Sequence, residues 1–304
     1  MKKFSSSLAA AALSGVIAVM LSAVSPTVAT AGDLFPDIPF PEIPGISDKD
    51  LLNSPTTAVK MRQANFAVNS IYPNEKTVMG VAQPIIIRLQ HAPRKRSLAQ
   101  ELIKVEVFNK DGERYDIPGY YRWWSNTEVR WRPTKFWPAY ARIKVTVGDK
   151  VRQFRIGARK VAVANDKTHM IKVYINNKLV RTVPTSMGKP GHETPNGFFY
   201  IGEKRRSMVM DSSTYGVPVT AAEGYKVDVE YALRMTYSGI FLHAAPWSVG
   251  AQGKYNTSHG CLNVSTADAK WFFENWDAGD VIRVINTKGG KLSRNDGMGD
   301  WADL

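Results

Sequence analysis

Thr257-Ser258-His259-Gly260-Cys261-Leu262-Asn263 holds the only cysteine in 304 residues. A single thiol has no partner for an internal disulfide, so Cys261 does not belong to a structural framework. A lone buried cysteine is ordinarily a small hydrophobe. The neighbours argue against that reading here. Ser258, His259 and Asn263 are polar, and Gly260 leaves the backbone beside the sulfur open to close approach. A second imidazole, His243, stands eighteen positions upstream, a separation that a strand–loop–strand connection folds back onto the thiol. Cys/His pairs on a loop are the usual arrangement of an activated sulfur nucleophile. His243 is the candidate base. His259 is its rival, but residues i and i+2 of an extended segment diverge along one side, which suits a supporting role better. The amides around Gly260 are candidate oxyanion donors.

The amino terminus sets the compartment. Lys2 and Lys3 precede an apolar, Ala-rich run from Leu8 to Val24, and Ala29-Thr30-Ala31 follows. A basic start, an apolar core and a small-x-small site describe a secretory signal peptide over 1–31, cleaved after Ala31. A retained anchor is the alternative, though the run is short for a membrane span. Export without disulfides is informative, because exported proteins usually place their cysteines in bridges. The formal charge of +13 suits attraction to the polyanions of a bacterial envelope, and an exported chain has no nucleic acid to meet.

Residues 32–57, with Pro36, Pro39, Pro41, Pro44 and Pro55, read as a Pro-rich linker. Over 58–158 short strands recur, among them Pro84–Leu89, Val105–Phe108, Val129–Arg132 and Arg142–Val147, bounded by turn residues. An immunoglobulin-like sandwich without the cysteine pair fits this pattern. Its aromatic group, Tyr120, Tyr121, Trp123, Trp124, Trp131, Phe136, Trp137 and Tyr140, is either a sugar-stacking platform or packing. Trp131 falls on the apolar face of a strand, which favours packing.

A second strand series opens at 159. Met170–Ile175 and Leu179–Val183 flank Asn176-Asn177 and predict a hairpin. His192-Glu193 lacks the second histidine of a zinc-binding helix, so no metal site is read there. Residues 208–235 read as a long polar loop. Ser265 caps a helix carrying Trp271 and Phe272 that ends near Gly279, the one principal helix expected. The fold class is therefore mainly β: an immunoglobulin-like sandwich, then a β-sandwich with one main helix over 159–304.

His243 followed by Ser258-His259-Gly260-Cys261-Leu262-Asn263 resembles the signature of the L,D-transpeptidases. The likeness continues through Met210–Pro218 and Phe241–Gly250, covers most of 120–304, and points to the two-domain cell-wall enzymes of mycobacteria and their actinobacterial relatives. The resemblance implies that Cys261 attacks the amide between the third residue and D-alanine of a peptidoglycan tetrapeptide. The thioester then passes to a side-chain amine of a neighbouring stem, a 3→3 cross-link. It implies a lid over the site with Met210, Tyr215 and Tyr225 facing substrate. Trp247, Ser258 and Asn263 are expected to complete the substrate site, with Asn263 orienting its neighbourhood. Family members commonly orient the histidine through a main-chain carbonyl just after it. Here that residue is Ala244, where close relatives often carry serine. Carbapenem-type β-lactams are expected to acylate the same sulfur. Neither a metal nor an organic cofactor is called for. Transfer of the thioester to water, an L,D-carboxypeptidase, stays open, as does a non-catalytic wall-binding protein. A papain-type protease is excluded by chain order, since there the cysteine precedes the histidine.

Overall fold

The computed structural model describes residues 55–304, less the side chain of Tyr215. The expected signal peptide (1–31) and most of the Pro-rich linker (32–54) lie outside the described residues. The last residues of that linker are helical: α1 spans Pro55–Ala64. It is as long as the helix expected to be the principal one, α3 (Thr266–Asn275), so that helix is not alone in its length. A third helix, α2, covers Arg96–Glu101.

The first strand series makes two sheets. One orders β1 (Val68–Tyr72), β3 (Ile85–Leu89), β7 (Glu128–Pro133) and β6 (Gly119–Trp123). The other orders β2 (Val78–Met79), β9 (Lys150–Ile156), β8 (Arg142–Val147), β4 (Ile103–Phe108) and β5 (Arg114–Tyr115). Ile85, Ile87, Val129, Ile143, Val145 and Phe154 fill the space between them. The alternation that suggested half-buried strands is the alternation that builds this core.

The second series also makes two sheets. The first orders β12 (Lys178–Pro184), β11 (Met170–Ile175), β10 (Lys160–Asn165), β18 (Val281–Ile285) and β13 (Gly197–Tyr200). The hairpin at Asn176-Asn177 forms as its turn chemistry requires, with φ of 49° and 66°. The second orders β14 (Lys204–Asp211), β15 (Lys226–Arg234), β16 (Phe241–Ala244) and β17 (Leu262–Val264). The stretch 208–235, expected to be a loop, is thus mostly a strand hairpin whose tip alone, 212–225, is irregular. Charged residues on its exposed face hid the alternation of Val227, Val229 and Tyr231 with Asp228 and Glu230.

Helix α3 packs on β15 and β16. Ser265 caps it by accepting the Asp268 N–H at 3.1 Å. Its buried face is Ala269, Phe272 and Trp276, and it stops at Asn275, short of Gly279.

The two strand series share a core. Tyr200, Val281, Met298 and Trp301 pack into the same cluster as Val81, Trp131 and Trp137. The Trp301 indole donates to Ala82 O at 2.7 Å. Gly80 lies so close to the 279–280 backbone that a Cβ there would fall 2.0 Å from Asp280 N. Part of the aromatic group of 120–140 is spent here: Phe136 meets Phe198 and Trp301 edge-on, and Tyr120 OH reaches Asp303.

Candidate active site

Two neighbouring parallel strands place the thiol and the imidazole. The register of β16 and β17 pairs Leu242 with Leu262, His243 with Asn263 and Ala244 with Val264. Side chains alternate, so Leu242, Ala244, Leu262 and Val264 enter the helix-side core. Phe241, His243, Cys261 and Asn263 fall on the opposite face. There, a pocket of ≈ 270 Å³ is lined by His243, Cys261 and Asn263 together with Met210, Tyr225, Val227, Trp247, Thr257, Ser258 and His259. His243 and Cys261 are diagonal neighbours on this face, and both line the pocket.

The nucleophile turn is held from inside. Ser258 Oγ donates to Cys261 O at 2.7 Å and accepts the Gly260 N–H at 3.1 Å. The Gly260 amide is therefore occupied, and its expected oxyanion role requires that bond to yield. Gly260 has φ of +116°. A Cβ there would find ordinary contacts at 3.6 Å, so the backbone angle, and not crowding, calls for glycine. Thr194 Oγ1 donates to Gly260 O at 2.8 Å, and Lys189 N–H donates to Ser258 O at 2.9 Å. The Gly/Pro loop 188–197 thus braces the turn that carries the sulfur.

The Cys261 thiol donates to Gly239 O at 3.7 Å. Burial pushes it up to about 11, and a backbone hydrogen bond from Phe241 offsets only part of that. Burial likewise pushes His243 down to about 4, against the Ala244 carbonyl, which lies 2.8 Å from Nδ1. With Nδ1–H donated to that carbonyl, Nε2 is the basic nitrogen. At neutral pH both groups are uncharged, so the resting site is thiol plus imidazole. Helix α3 starts beyond β17, about 10 Å of extended chain past Cys261.

His259 lines the same pocket but is held from the hairpin tip. Its Nε2 lies 2.8 Å from Glu223 Oε2 at the hairpin tip, and its ring packs on Tyr225 and His192. Met210 sits beside Cys261 in a small cluster with Phe241 and Val229. Trp247 stands exposed on the rim, its ring 6.1 Å from that of His243. Tyr215 ends the 3-10 turn Ser212–Tyr215, and its side chain lies outside the described residues. Asn263 donates to Ser248 Oγ at 3.4 Å, while its buried Oδ1 has no partner among the described residues. An acceptor on the pocket face is costly to leave unmet, and water or a ligand N–H can satisfy it. Sequence reading passed over Glu223, Lys189 and Thr194, because nothing in their local sequence announces a nucleophile 38 to 72 residues away.

Residues 159–284 match the L,D-transpeptidase catalytic domain, and residues 47–152 match the bacterial Ig domain. L,D-transpeptidase 2 of Mycobacterium tuberculosis is 40% identical over 252 residues, 78% of this chain and 60% of that protein. The match therefore spans less than two thirds of that relative's length. L,D-transpeptidase 1 of the same organism is 36% identical over 230 residues, 76% of this chain and 89% of its own length. The structure of the LD transpeptidase LdtMt1 in complex with imipenem superposes with a TM-score of 0.68 at 35% identity, covering 72% of this chain and 99% of that one. A thiol and a tautomer-fixed imidazole on one pocket face, on a fold shared with such relatives, identify the chain as an enzyme of the L,D-transpeptidase family.

Proposed function

We propose that the chain cross-links peptidoglycan stems, with Cys261 as nucleophile and His243 as base and acid. The observation that carries this reading is the His243 Nδ1 contact with Ala244 O at 2.8 Å, which leaves Nε2 on the pocket that Cys261 lines. The sulfur attacks the carbonyl carbon of the third stem residue as its proton passes to Nε2. The oxyanion is received by amides of the 259–261 turn, Gly260 after release from Ser258. The C–N bond to D-alanine then breaks, the nitrogen taking the proton from His243. A side-chain amine of a second stem attacks the thioester, and the thiol is restored. Because thiol and imidazole rest neutral, proton transfer accompanies attack and does not precede it.

Asn263 Oδ1 is the acceptor for a stem N–H, Met210 and Trp247 bound the donor, and Tyr215 and Tyr225 belong to the lid. Ser258 acts by shaping the turn, and His259 by supporting it. Residues 58–158 serve as a spacer and 159–304 as the catalytic unit, with 32–57 as a semi-rigid leader that remains after removal of 1–31. The relative bound to imipenem supports acylation of Cys261 by carbapenems. Incubation with a disaccharide-tetrapeptide tests the whole reading. Release of D-alanine with a cross-linked dimer is expected. Tripeptide without dimer would make the chain a carboxypeptidase, and no product would leave a wall-binding protein.

A further inference from the structure

Three remote segments meet at the pocket mouth: His192 in the Gly/Pro loop, Glu223 at the hairpin tip, and His259 two residues before the nucleophile. One ligand atom from each lies within 4.8 Å of the others. Glu223 Oε2 is the hub. It accepts from His259 Nε2 at 2.8 Å and lies 3.6 Å from His192 Nε2. The two imidazole rings sit 4.6 Å apart. The histidine that His192-Glu193 lacked in sequence is supplied from position 259 by the fold.

We propose that His192, Glu223 and His259 bind a divalent transition-metal ion of the zinc class, latching the hairpin tip to the turn that bears Cys261. Two imidazole nitrogens and one carboxylate oxygen are the donors such ions favour, with water free to take the fourth place. Tetrahedral bonds of about 2.0–2.2 Å set donors roughly 3.3–3.5 Å apart. Glu223 Oε2 therefore has to back away from His259 Nε2, now 2.8 Å off, while the two imidazole nitrogens stay within their present 4.8 Å. Glu223 allows this, being exposed on an irregular tip.

Lys189 makes the arrangement informative. Its Nζ lies 2.6 Å from the same Glu223 Oε2. With Lys189 first and His259 next, these partners hold the Glu223 carboxyl down at about 2, so it is ionised at any working pH. The ammonium is the cation that keeps the carboxylate when no metal is bound. A metal ion and Lys189 compete for one oxygen, and the partly exposed lysine is free to swing into solvent. An ion-pair cluster without metal affinity would take up no stoichiometric metal, with Lys189 or without it.

The test uses the full untagged chain with Cys261→Ser, so that no thiol binds metal, titrated with Zn²⁺ against a chromophoric chelator. One equivalent is expected to bind. His192→Gln and Glu223→Gln should each weaken binding by about tenfold or more, since each removes a first-sphere donor. Lys189→Gln should tighten it several-fold. Thermal melts confirm that each variant is folded, and His192→Gln decides the matter if Glu223→Gln is not. Absence of stoichiometric binding, indifference to His192→Gln, or weaker binding in Lys189→Gln each overturns the proposal. In the chain that keeps Cys261, Zn²⁺ should slow acylation, and His192→Gln should relieve it. Because binding is read without the nucleophile, its outcome is independent of whether the cross-linking assignment holds.

Discussion

Nδ1 of His243 stands 2.8 Å from the carbonyl oxygen of Ala244, so the residue that follows the imidazole in the chain fixes its tautomer. The contact is to main chain, and the methyl group of Ala244 points into the helix-side core. Ala244→Ser should therefore change the acylation rate by less than about threefold, since it leaves the carbonyl in place. His243→Ala removes Nε2 and should cost about 10²–10⁴-fold, the usual worth of a positioned base. His259→Gln should cost much less. Single-turnover acylation by imipenem, followed by intact mass, ranks the three. A loss for His259→Gln larger than for His243→Ala would transfer the base role.

The thiol stands at about 11 and the imidazole at about 4. A preformed thiolate–imidazolium pair would need the reverse order. Alkylation of Cys261 by iodoacetamide should then climb close to tenfold per pH unit from pH 7 to 10, following the rare thiolate. Acylation by a carbapenem, assisted by the neutral imidazole, should hold level well below pH 6. A plateau in alkylation at or below pH 7 would show the ion pair and refute concerted proton transfer.

Much of this arrangement was legible in the sequence, and the reason is local. The turn chemistry of Asn176-Asn177, the Ser265 cap and the flanking motif of Cys261 are each decided within a few residues, so short-range rules recover them. The hairpin of β14 and β15 was missed because one face is solvated and charged, which dilutes its period-2 signal. The joint core of the two strand series was legible only in part. Trp131 and Phe136 announced packing, but that Trp301 completes it depends on a partner 165 residues from Phe136. The bracing of Gly260 by Thr194, and the meeting of His192, Glu223 and His259, arise from long-range closure that no window of sequence contains.

Burying His243 as a neutral ring also bears on stability. Its folded value of about 4 lies below the ordinary 6.5, so the unfolded chain binds the proton more tightly. The contribution is complete above pH 6.5 and is lost as pH falls through the folded value, roughly 3 kcal/mol between pH 7 and 4. His243→Gln should flatten that acid limb while abolishing acylation. Urea midpoints at pH 7 and pH 4.5 measure it. An unchanged difference between the two pH values in the variant would assign the acid sensitivity to other groups.

Asp300 Oδ2 accepts from Arg130 Nη1 at 2.7 Å and from Tyr200 OH at 2.9 Å, joining the first strand series to the second. Burial disfavours the Arg130 charge, but Asp300 and Glu128 outweigh it and its pKa moves up. Asp300→Asn leaves Arg130 paired with Glu128 at 2.7 Å but removes its other carboxylate, so it should cost about 1.5–3 kcal/mol in urea unfolding, the usual worth of a charged hydrogen bond. Arg130→Met combined with Asp300→Leu should cost less than the two single changes added, by roughly 2 kcal/mol, because no lone charge remains. Glu128 keeps Arg88 at 2.9 Å in that variant. Every residue lining the thiol pocket comes from 210–263, so imipenem acylation at low temperature should be unchanged in each folded variant. A loss of acylation out of proportion to stability would mean that the first strand series shapes the site itself and does more than hold it in place.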